Sequence, residues 1–423
     1  MRVGLQTWGS YGDVRPFLAL AEGMQSAGHD VTLAITSVDN VDYRASLTPG
    51  GVDMRMVSSP EAMNGEALSD IERKIFGEPD PVRQTQIIIE ELLLPTESAM
   101  YAAAEQLCEE NDLVIGHFFN YPMNTAAERY GKPYASVALV HSAIPSALHP
   151  PSGMPNLGAW GNRIMWSLVK SVLNRKLKKY ADQLRKKHGL LPARDLMEDV
   201  WASKQLTLVA VSPQICRRKR DWPEHYQVCG FLNTPDAVLG ESISDELKAF
   251  VSNGPPPVYM TFGSVMSGGD QAETIALLVD AAAKASVRAI IQAPRWREAG
   301  FESSSDIHFV DSAPYAQIFP QCKAILHHGG ASTLQTALLA GKPSVVVAHT
   351  SEQEFWGREL ARIGAAPKPL SRRGLNAGRL ARHIELATGS KAINEAARRI
   401  GMELARENGV ATAVRLINER FRA

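Results

Sequence analysis

One stretch of the sequence combines residue types that suit anion binding. Residues 324–347 read AILHHGGASTLQTALLAGKPSVVV, with two histidines and two glycines between an apolar run and a helical pattern. Free backbone N–H groups at the start of a helix attract anions such as phosphate. Glycines there let a phosphate group approach the backbone, and His327 can add a further donor. We interpret the stretch as a candidate phosphate-binding loop; the alternative is a tight turn between a strand and a helix.

The helix after the two glycines has recognisable start and stop signals. It is expected to span TLQTALLA, residues 333–340, with Ser332 and Thr333 as caps. Gly341, Lys342 and Pro343 are expected to end it. The first N–H groups of the helix would then point out of the carboxyl edge of a parallel sheet.

A carboxylate follows the first apolar run of the chain. Asp13 lies in GSYGDVRPFLAL, residues 9–20, and is predicted to sit on the loop between the first strand and the first helix. A carboxylate at that place can cap the helix. It can also act as a general base, because open α/β sheets bind ligands at the carboxyl edge. Both interpretations of Asp13 are open at this point.

Several common catalytic motifs are absent from the sequence. The glycine loop holds no lysine, so it is not a Walker P-loop, and the first turn is not G-x-G-x-x-G, which disfavours a nicotinamide dinucleotide. No H-E-x-x-H, G-x-S-x-G or D-x-D pattern occurs, and each of these marks a metal site or a nucleophile. We therefore expect no metal site.

The composition is that of an ordinary globular protein. The 423 residues carry no formal net charge at pH 7, so nothing indicates nucleic acid as a partner. The four cysteines form no C-x-x-C pair and suggest a reducing compartment. The first apolar run is too short for a signal peptide, and no stretch reaches the roughly 18 apolar residues of a membrane-spanning helix. The expected location is the cytoplasm.

Short apolar runs alternate with helical patterns along the chain. HDVTLAIT, residues 29–36, and PVYMTFGSV, residues 257–265, are strand candidates, and a helix is predicted over 271–286. This alternation is typical of parallel sheets that helices cover on both faces. We expect an α/β fold with two Rossmann-like domains that face each other across a cleft. The predicted parts are an N-terminal domain, a C-terminal domain and a C-terminal helix that packs back on the first domain: residues 1–225, 226–400 and 401–423.

A basic segment of residues 163–188 allows two interpretations. Its apolar positions are expected to form one packed face, and basic residues fill the rest of the segment with Asp182 as the only acid. The first interpretation is a packed helix with a solvated basic face. The second is a weak contact with an anionic membrane surface. The apolar positions are Ile164, Leu168, Leu173, Leu177, Tyr180 and Leu184.

Four motifs in order resemble those of the family 1 glycosyltransferases, which have the GT-B fold. They are GSYGDVRPFLAL, MTFGSV, HHGGAST and EQEFWG, and DWPEHYQVCGFL at the domain junction extends the likeness over most of the chain. The resemblance is to the branch that contains bacterial antibiotic glycosyltransferases and sterol 3-β-glucosyltransferases. It implies that a nucleotide sugar binds mainly to the C-terminal domain and that the acceptor enters from the N-terminal domain.

The resemblance also implies roles for individual residues. The family's base position falls on Asp13, its diphosphate-binding histidine on His327, and its acid–glutamine pair for sugar hydroxyls on Glu352 and Gln353. The other positions that match the donor-binding loops are Ser10, Gly12, Gly263, Ser264, Ala313, Gly329, Gly330, Ala331, Ser332 and Thr333.

Acceptor binding is assigned to apolar residues of the N-terminal half. These side chains suit a flat lipophilic molecule, although each could instead pack within the protein. His117 and His141 are interpreted as structural. The candidate acceptor-binding residues are Phe118, Phe119, Tyr121, Met154 and Trp160.

Two positions depart from the family pattern. Glu352 stands where many relatives have Asp, which could change the sugar preference. Ser312 stands where many relatives have an aromatic residue that stacks on the nucleobase, so stacking is expected from another residue such as Trp296. Ala313 is still expected to offer its backbone to the base. The choice between uridine and thymidine nucleotides therefore stays open.

The resemblance implies an inverting, metal-independent hexosyltransferase without a permanently bound cofactor. It would move a sugar, with glucose from UDP-glucose favoured and a dTDP-sugar as the other donor, to a hydroxyl of a lipophilic acceptor such as a sterol, terpenoid, polyketide or lipid. The alternatives are a nucleotide-sugar 2-epimerase, a non-catalytic partner protein and, last, a flavin or nicotinamide oxidoreductase. The oligomeric state is open between monomer and dimer.

Overall fold

The computed structural model describes residues 1–38, 41–46, 51–58, 66–233, 243–263 and 271–422. The chain divides into two units. The first comprises Met1–Leu68, Glu78–Val238 and Asn408–Ala423, and the second comprises Ser69–Gly77 and Leu239–Glu407. This division differs from the predicted boundary between residues 225 and 226, because the strand that begins at Tyr226 pairs with the sheet of the first unit.

The first unit contains a seven-stranded parallel sheet with the order β3-β2-β1-β4-β5-β6-β7. Its central strands are buried on both faces, as expected for a parallel sheet between helical layers, and the strand Arg2–Gly9 also buries the polar side chains of Gln6 and Thr7. The strands are β1 Arg2–Gly9, β2 Asp30–Ser37, β3 Asp53–Met56, β4 Leu113–His117, β5 Tyr134–Ala138, β6 Leu206–Val209 and β7 Tyr226–Val228.

Most helices between residues 1 and 187 belong to the first unit. In chain order the first seven are α1 Tyr11–Ser26, α2 Glu66–Gly77, α3 Pro81–Ile87, α4 Glu97–Glu110, α5 Tyr121–Arg129, α6 Gly158–Lys176 and α7 Lys178–Lys187. Most of α2 belongs to the second unit. Two π-helical turns interrupt the connections, at Ile88–Leu93 and Leu196–Trp201, and short 3₁₀ turns occur at Tyr43–Ser46 and Leu94–Thr96.

The second unit contains a six-stranded parallel sheet with the order β10-β9-β8-β11-β12-β13. Its strands are β8 Val258–Thr261, β9 Ala289–Gln292, β10 Ile307–Val310, β11 Ala324–His327, β12 Ser344–Ala348 and β13 Leu370–Ser371. Its helices are α8 Asp245–Ser252, α9 Gln271–Lys284, α10 Tyr315–Ile318, α11 Ala331–Leu339, α12 Ser351–Arg362, α13 Ala377–Gly389 and α14 Lys391–Leu404, with a 3₁₀ turn at Phe319–Gln321.

The chain returns to the first unit after α14. The last helix, α15 at Gly409–Phe421, packs against α1, whereas α14 packs against α11 of the second unit. The approach of α15 to α1 is close, because a Cβ atom at Gly23 would collide with the Val410 side chain. Gly409 lies equally close to the backbone of Phe231. Glycine is needed at both positions for this packing.

The basic segment 163–188 is not one packed helix. It divides into α6 and α7 at Leu177, and Leu177, Tyr180 and Leu184 are buried as expected. Ile164 and Leu168 are exposed, so the predicted packed face is wrong for these two residues. None of the helices in the described ranges is both long enough and apolar enough to cross a membrane.

Candidate active site

Each sheet has one place where the strand order reverses. The reversal lies between β1 and β4 in the first sheet and between β8 and β11 in the second. In doubly wound sheets ligands bind outside the carboxyl ends of the strands at such a reversal, because the connecting helices leave there on opposite faces. Asp13 follows β1, and His327 ends β11. The structure therefore places the two main predicted residues at the ligand-binding edges of their own sheets.

Asp13 lies in the first turn of α1, so the prediction that it sits on the loop before the helix is wrong. Its Oδ2 atom accepts a hydrogen bond from the Ser10 backbone N–H at 3.1 Å and lies 3.4 Å from the Ser10 hydroxyl. This is the carboxylate half of a capping box, in which Ser10 is the N-cap residue. Gly9 has a φ angle of 125°, and a Cβ atom there would collide with the carboxylate. The interpretation of Asp13 as a helix cap is thus confirmed for one of its oxygens.

The other carboxylate oxygen faces a buried histidine. Oδ1 of Asp13 lies 3.9 Å from Nε2 of His117, the last residue of β4. Burial lowers the pKa of His117 to about 3, so its ring is neutral at pH 7. Nδ1 of the ring accepts a hydrogen bond from the Phe119 N–H at 3.3 Å, so the single ring proton is on Nε2. That Nε2 atom has no hydrogen-bond partner among the described residues.

His117 was interpreted from the sequence as structural, and its position beside Asp13 was missed. A signal was available, because β1 and β4 are neighbours in the strand order that a doubly wound sheet adopts. A histidine at the end of β4 then lies at the same edge as the loop after β1. Gly12, which was predicted to contact the donor, lies in the first turn of α1 next to Asp13.

Aromatic side chains surround this edge of the first sheet. Phe119 has its ring centroid 6.0 Å from Trp8 and 5.6 Å from Trp201, and Phe118 lies 4.8 Å from the ring of His117. Trp8 is buried, and its Nε1–H has no partner among the described residues. An apolar surface with a single unpaired donor suits a lipophilic molecule that carries few oxygens. We call Trp8, Phe118, Phe119 and Trp201 the aromatic cluster.

The other three predicted acceptor-binding residues differ in burial. Tyr121 is buried at the start of α5, where its hydroxyl bonds to the Glu97 carboxylate at 2.5 Å. Met154 and Trp160 are exposed, and Trp160 makes no ring contact with another described residue. Ring contacts place Phe118 and Phe119 beside His117 at the Asp13 edge, and acceptor binding by Tyr121, Met154 and Trp160 stays a prediction.

The glycine loop of the second unit ends in an uncapped helix. The N-cap residue of α11 is Gly330, which has no side chain to cap the helix. The prediction of Ser332 and Thr333 as caps is wrong, because α11 begins at Ala331 and both residues lie inside its first turn. The backbone N–H groups of Ala331, Ser332 and Thr333 have no acceptor within the helix. Three donors are therefore available to an anion at this end of α11.

The ring N–H of His327 is a fourth donor that has no acceptor among the described residues. The residue is fully buried, and burial is the main cause that lowers its pKa to about 3. Its Nδ1 accepts the Gly329 N–H at 3.1 Å, so the ring proton is on Nε2. Nε2 is buried without a partner among the described residues. A buried donor without a partner is costly unless a ligand satisfies it.

The two glycines and the second histidine form a tight loop. Gly329 has a φ angle of 96°, and a Cβ atom there would lie 2.8 Å from the Gln353 carbonyl oxygen. His328 packs against both glycine loops, since a Cβ atom at Gly330 or Gly263 would lie 2.5 Å or 3.0 Å from its ring. Gly263 follows β8, and the sequence did not predict that His328 links the two loops. Ser264, another predicted donor-binding residue, lies outside the described residues.

The predicted sugar-binding pair lies at the start of α12. Oε1 of Gln353 accepts the N–H groups of His349 and Thr350 at 2.7 Å and 3.2 Å, which completes the capping box of this helix. Only the amide NH₂ of Gln353 is then left for a ligand. Glu352 is exposed, and partial desolvation raises the pKa of its carboxyl group while the Trp356 indole donates to it at 3.4 Å.

The nucleobase side of the second sheet differs from expectation. Trp296 is buried in the core of the unit, with its ring 5.1 Å from Phe309 and the Arg297 guanidinium 4.1 Å from its centroid. It is therefore a packing residue and not the expected stacking surface. Ala313 follows β10 and is largely buried, and Ser312 beside it is exposed.

The amino-acid sequence is similar to those of known glycosyltransferases. A family model described as "Erythromycin biosynthesis protein CIII-like, C-terminal domain" matches residues 276–417. The chain is 29% identical over 453 residues to O-mycaminosyltylonolide 6-deoxyallosyltransferase of Streptomyces fradiae, a match that covers 99% of this chain and 97% of that protein. It is 28% identical over 438 residues to a sterol 3-beta-glucosyltransferase of Arabidopsis thaliana, with 98% of this chain and 67% of the relative covered.

A solved structure shares the fold. The glycosyltransferase VinC in complex with dTDP matches with a TM-score of 0.67 and 18% identity, over 100% of both chains. At that sequence identity the match shows only that the two proteins share a fold, which in this chain consists of two α/β units with parallel sheets.

Proposed function

We propose that this chain, which is a family 1 glycosyltransferase with the GT-B fold, transfers a hexose from a nucleoside diphosphate sugar to a hydroxyl group of a lipophilic small molecule and releases the nucleoside diphosphate. The transfer is a single displacement with inversion at the anomeric carbon. One observation carries this function: at the carboxyl edge of the second sheet, His327 Nε2–H and the first three N–H groups of α11 are donors without an acceptor among the described residues.

These donors suit the negative charge that develops on a departing diphosphate. Fixed donors in a site from which water is excluded stabilise such charge strongly, because they need no reorganisation during the reaction. Burial keeps the His327 ring neutral, and the ring donates through Nε2. Among the described residues no group of His, Cys, Asp and Glu side chains is arranged to hold a metal ion. We propose that the loop stabilises the leaving group in a metal-independent reaction.

Asp13 is proposed as the general base. Its Oδ2 accepts the Ser10 N–H in the capping box, and we propose that Oδ1, which faces His117, accepts the proton of the acceptor hydroxyl. Aspartate is a weak base in water, with a pKa of about 3.9. Much of the acceleration is therefore expected from leaving-group stabilisation. His117 is proposed as a positioning residue, since its Nε2–H faces Oδ1 and favours the ionised carboxylate.

UDP-glucose is the favoured donor, and a dTDP-sugar is the alternative. Glu352 and the amide NH₂ of Gln353 are proposed to bind the sugar hydroxyls, and Ala313 the nucleobase. The dTDP bound to VinC supports a nucleotide diphosphate without deciding between uridine and thymidine. The aromatic cluster is proposed to hold the acceptor, of the sterol, terpenoid, polyketide or lipid class. A cytoplasmic location agrees with four buried cysteines that form no disulfide bond.

A donor panel tests the function directly. Calorimetric titration of the protein with UDP-glucose, UDP-galactose and dTDP-glucose is expected to show binding of at least one donor. Addition of a sterol or a macrolide aglycone should then release the nucleoside diphosphate and give a glycoside with the anomeric configuration opposite to that of the donor.

Two results would contradict this function. Formation of an epimer from the nucleotide sugar alone would favour the 2-epimerase alternative. Absence of binding to every nucleotide sugar in the panel would favour a non-catalytic partner protein.

A further inference from the structure

Helix α6 carries a row of apolar side chains on its exposed side. The exposed positions recur every three or four residues, so they lie on one face of the helix. Trp160 is 77% exposed and Leu168 is 62% exposed, whereas Asn162 and Trp166 on the other side are buried. The face consists of Trp160, Arg163, Ile164, Ser167, Leu168, Ser171 and Arg175.

The segment before α6 extends this row. Leu157, the N-cap residue of α6, is 63% exposed, and Met154 and Leu148 are exposed as well. Single exposed apolar residues are normal on a protein surface, but a row of this length with a tryptophan is not. We call the α6 residues of the previous paragraph, together with Leu148, Met154 and Leu157, the α6 face.

The charges beside the α6 face are almost all positive. Between residues 148 and 194 the only acidic residue is Asp182, and it pairs with Lys178 at 2.5 Å. Lys170 pairs with Glu198, and Arg185 pairs with Glu128 at 2.8 Å. The remaining cations of the segment are exposed and have no ion pair with any described residue: Arg163, Arg175, Lys176, Lys179, Lys186, Lys187 and Arg194.

We propose that the α6 face binds the surface of a bilayer that contains anionic phospholipids. Apolar side chains beside unpaired cations fit the boundary between acyl chains and anionic headgroups, where a helix lies in the plane of the membrane. Trp160 would lie at the level of the headgroups, because its ring is apolar and its N–H is polar. The chain as a whole has no net charge, so the attraction is local to this face.

Other occupants fit the α6 face less well. A second copy of this chain would bring the same cations against one another, which is unfavourable at close range. A nucleic acid would match the cations but would leave the leucines and the isoleucine without an apolar partner. The inference is independent of the proposed glycosyl transfer, since it uses none of the residues at the sheet edges.

Vesicle co-sedimentation tests the proposal with the full chain and no sugar donor. The wild-type protein is expected to sediment with vesicles of phosphatidylcholine and phosphatidylglycerol and to stay in solution with phosphatidylcholine alone. Binding should weaken as salt is added, because salt screens the attraction. The variant Leu157→Ser/Ile164→Ser/Leu168→Ser and the variant Arg163→Glu/Arg175→Glu should each bind at least about tenfold more weakly.

A matched control uses exposed apolar residues of the second unit. Leu386 is 51% exposed and Met402 is 54% exposed, and the variant Leu386→Ser/Met402→Ser should bind vesicles like the wild type. Circular dichroism and a thermal melt show whether each variant is folded. If the serine variant of the α6 face does not fold, the double glutamate variant, which removes no apolar packing, gives the answer.

Three results would overturn the proposal. One is the absence of binding of the wild type to anionic vesicles. The second is an equal loss of binding in the control variant. The third is light scattering that shows a wild-type dimer which becomes a monomer when the α6 face is changed, because the face would then be an interface between two copies.

Discussion

Nε2 of His117 lies 3.9 Å from Oδ1 of Asp13, across the strand-order reversal of the first sheet. His117 is the last residue of β4, Asp13 lies in the first turn of α1, which follows β1, and the aromatic cluster adjoins them. One oxygen of Asp13 caps α1 while the other faces His117. A side chain with one oxygen fixed in this way has a defined orientation, which a general base requires.

Replacement of Asp13 by Asn should abolish most of the transfer. Asn cannot accept the proton of the acceptor hydroxyl, but it has the same size and keeps an oxygen for the Ser10 N–H. We expect turnover to fall by at least about 100-fold, with donor affinity in calorimetry unchanged. Asp30→Asn, at the opposite end of the sheet, is the control and should keep full turnover. Normal turnover of the Asp13→Asn enzyme would exclude Asp13 as the base.

Replacement of His117 by Phe should shift the pH profile of the reaction. Loss of the Nε2–H removes a donor that favours the ionised form of Asp13, so the acid limb of the profile of kcat/KM should move to higher pH. Donor affinity should not change. His117→Asn, which retains an N–H donor, should restore part of the original profile. A fall in kcat with the acid limb unmoved would indicate a purely structural role for His117.

Replacement of His327 by Ala should weaken the binding of the nucleoside diphosphate. The variant loses the Nε2–H donor, and a hydrogen bond to a charged group of this kind corresponds to about a 10- to 100-fold change in affinity. Calorimetric titration with UDP and with dTDP measures the change. His383→Ala, on α13 of the same unit, should bind both nucleotides like the wild type. An unchanged affinity in the His327 variant would contradict the proposal that this loop binds the diphosphate.

Replacement of Gly329 by Ala should distort the phosphate loop. The φ angle of 96° disfavours any side chain, and the new Cβ atom would lie 2.8 Å from the Gln353 carbonyl oxygen. We expect a loss of stability of about 1–3 kcal/mol and weaker nucleotide binding. Gly389→Ala is the comparison, because a Cβ atom there meets nothing within 4 Å. Urea denaturation measures the free energy of unfolding of both variants. Equal stability of the two would contradict the close approach of Gly329 to the Gln353 carbonyl group.

Acid should destabilise the protein well before its carboxylates are protonated. Burial lowers the pKa of His117 and of His327 to about 3, whereas histidine in the unfolded chain titrates near 6.5. Below pH 6.5 the unfolded state therefore binds protons that the folded state does not, and stability falls as pH falls towards the folded pKa. Between pH 7 and pH 5 each of the two histidines should lower the free energy of unfolding by about 2 kcal/mol.

The measurement is urea denaturation at a series of pH values, followed by tryptophan fluorescence. His327→Asn should reduce the slope of stability against pH by the share of one histidine. A wild-type curve that is flat from pH 7 to pH 5 would mean that the two rings are not buried in the neutral form.

The sequence predicted those features that depend on neighbouring residues in the chain. Asp13 and His327 were located at strand ends because each follows an apolar run and precedes a helical pattern. The α/β fold followed from the alternation of strands and helices. Gly330 as the N-cap residue was missed because Ser332 and Thr333 are better caps by residue type, and only the position of the first helical turn excludes them.

Features that depend on distant residues could not be predicted in the same way. His117 and His328 acquire their neighbours from strand order and loop packing, which join residues far apart in the chain. The exposure of Ile164 and Leu168 also follows from packing, because the periodicity of α6 is the same whether its apolar face is covered or open. Trp296 was predicted to stack on the nucleobase, but it is buried in the core of the second unit, and the local sequence does not show this.

The path of the chain has a consequence during synthesis. Helix α15 fills a place beside α1 and Phe231, yet the ribosome must make the whole of the second unit before residues 409–421 emerge. Until then the nascent first unit exposes the apolar surface that Ala413, Val414 and Ile417 later cover. Such a surface is a binding site for chaperones and a risk for aggregation, so the first unit can reach its final packing only after the second unit has been translated.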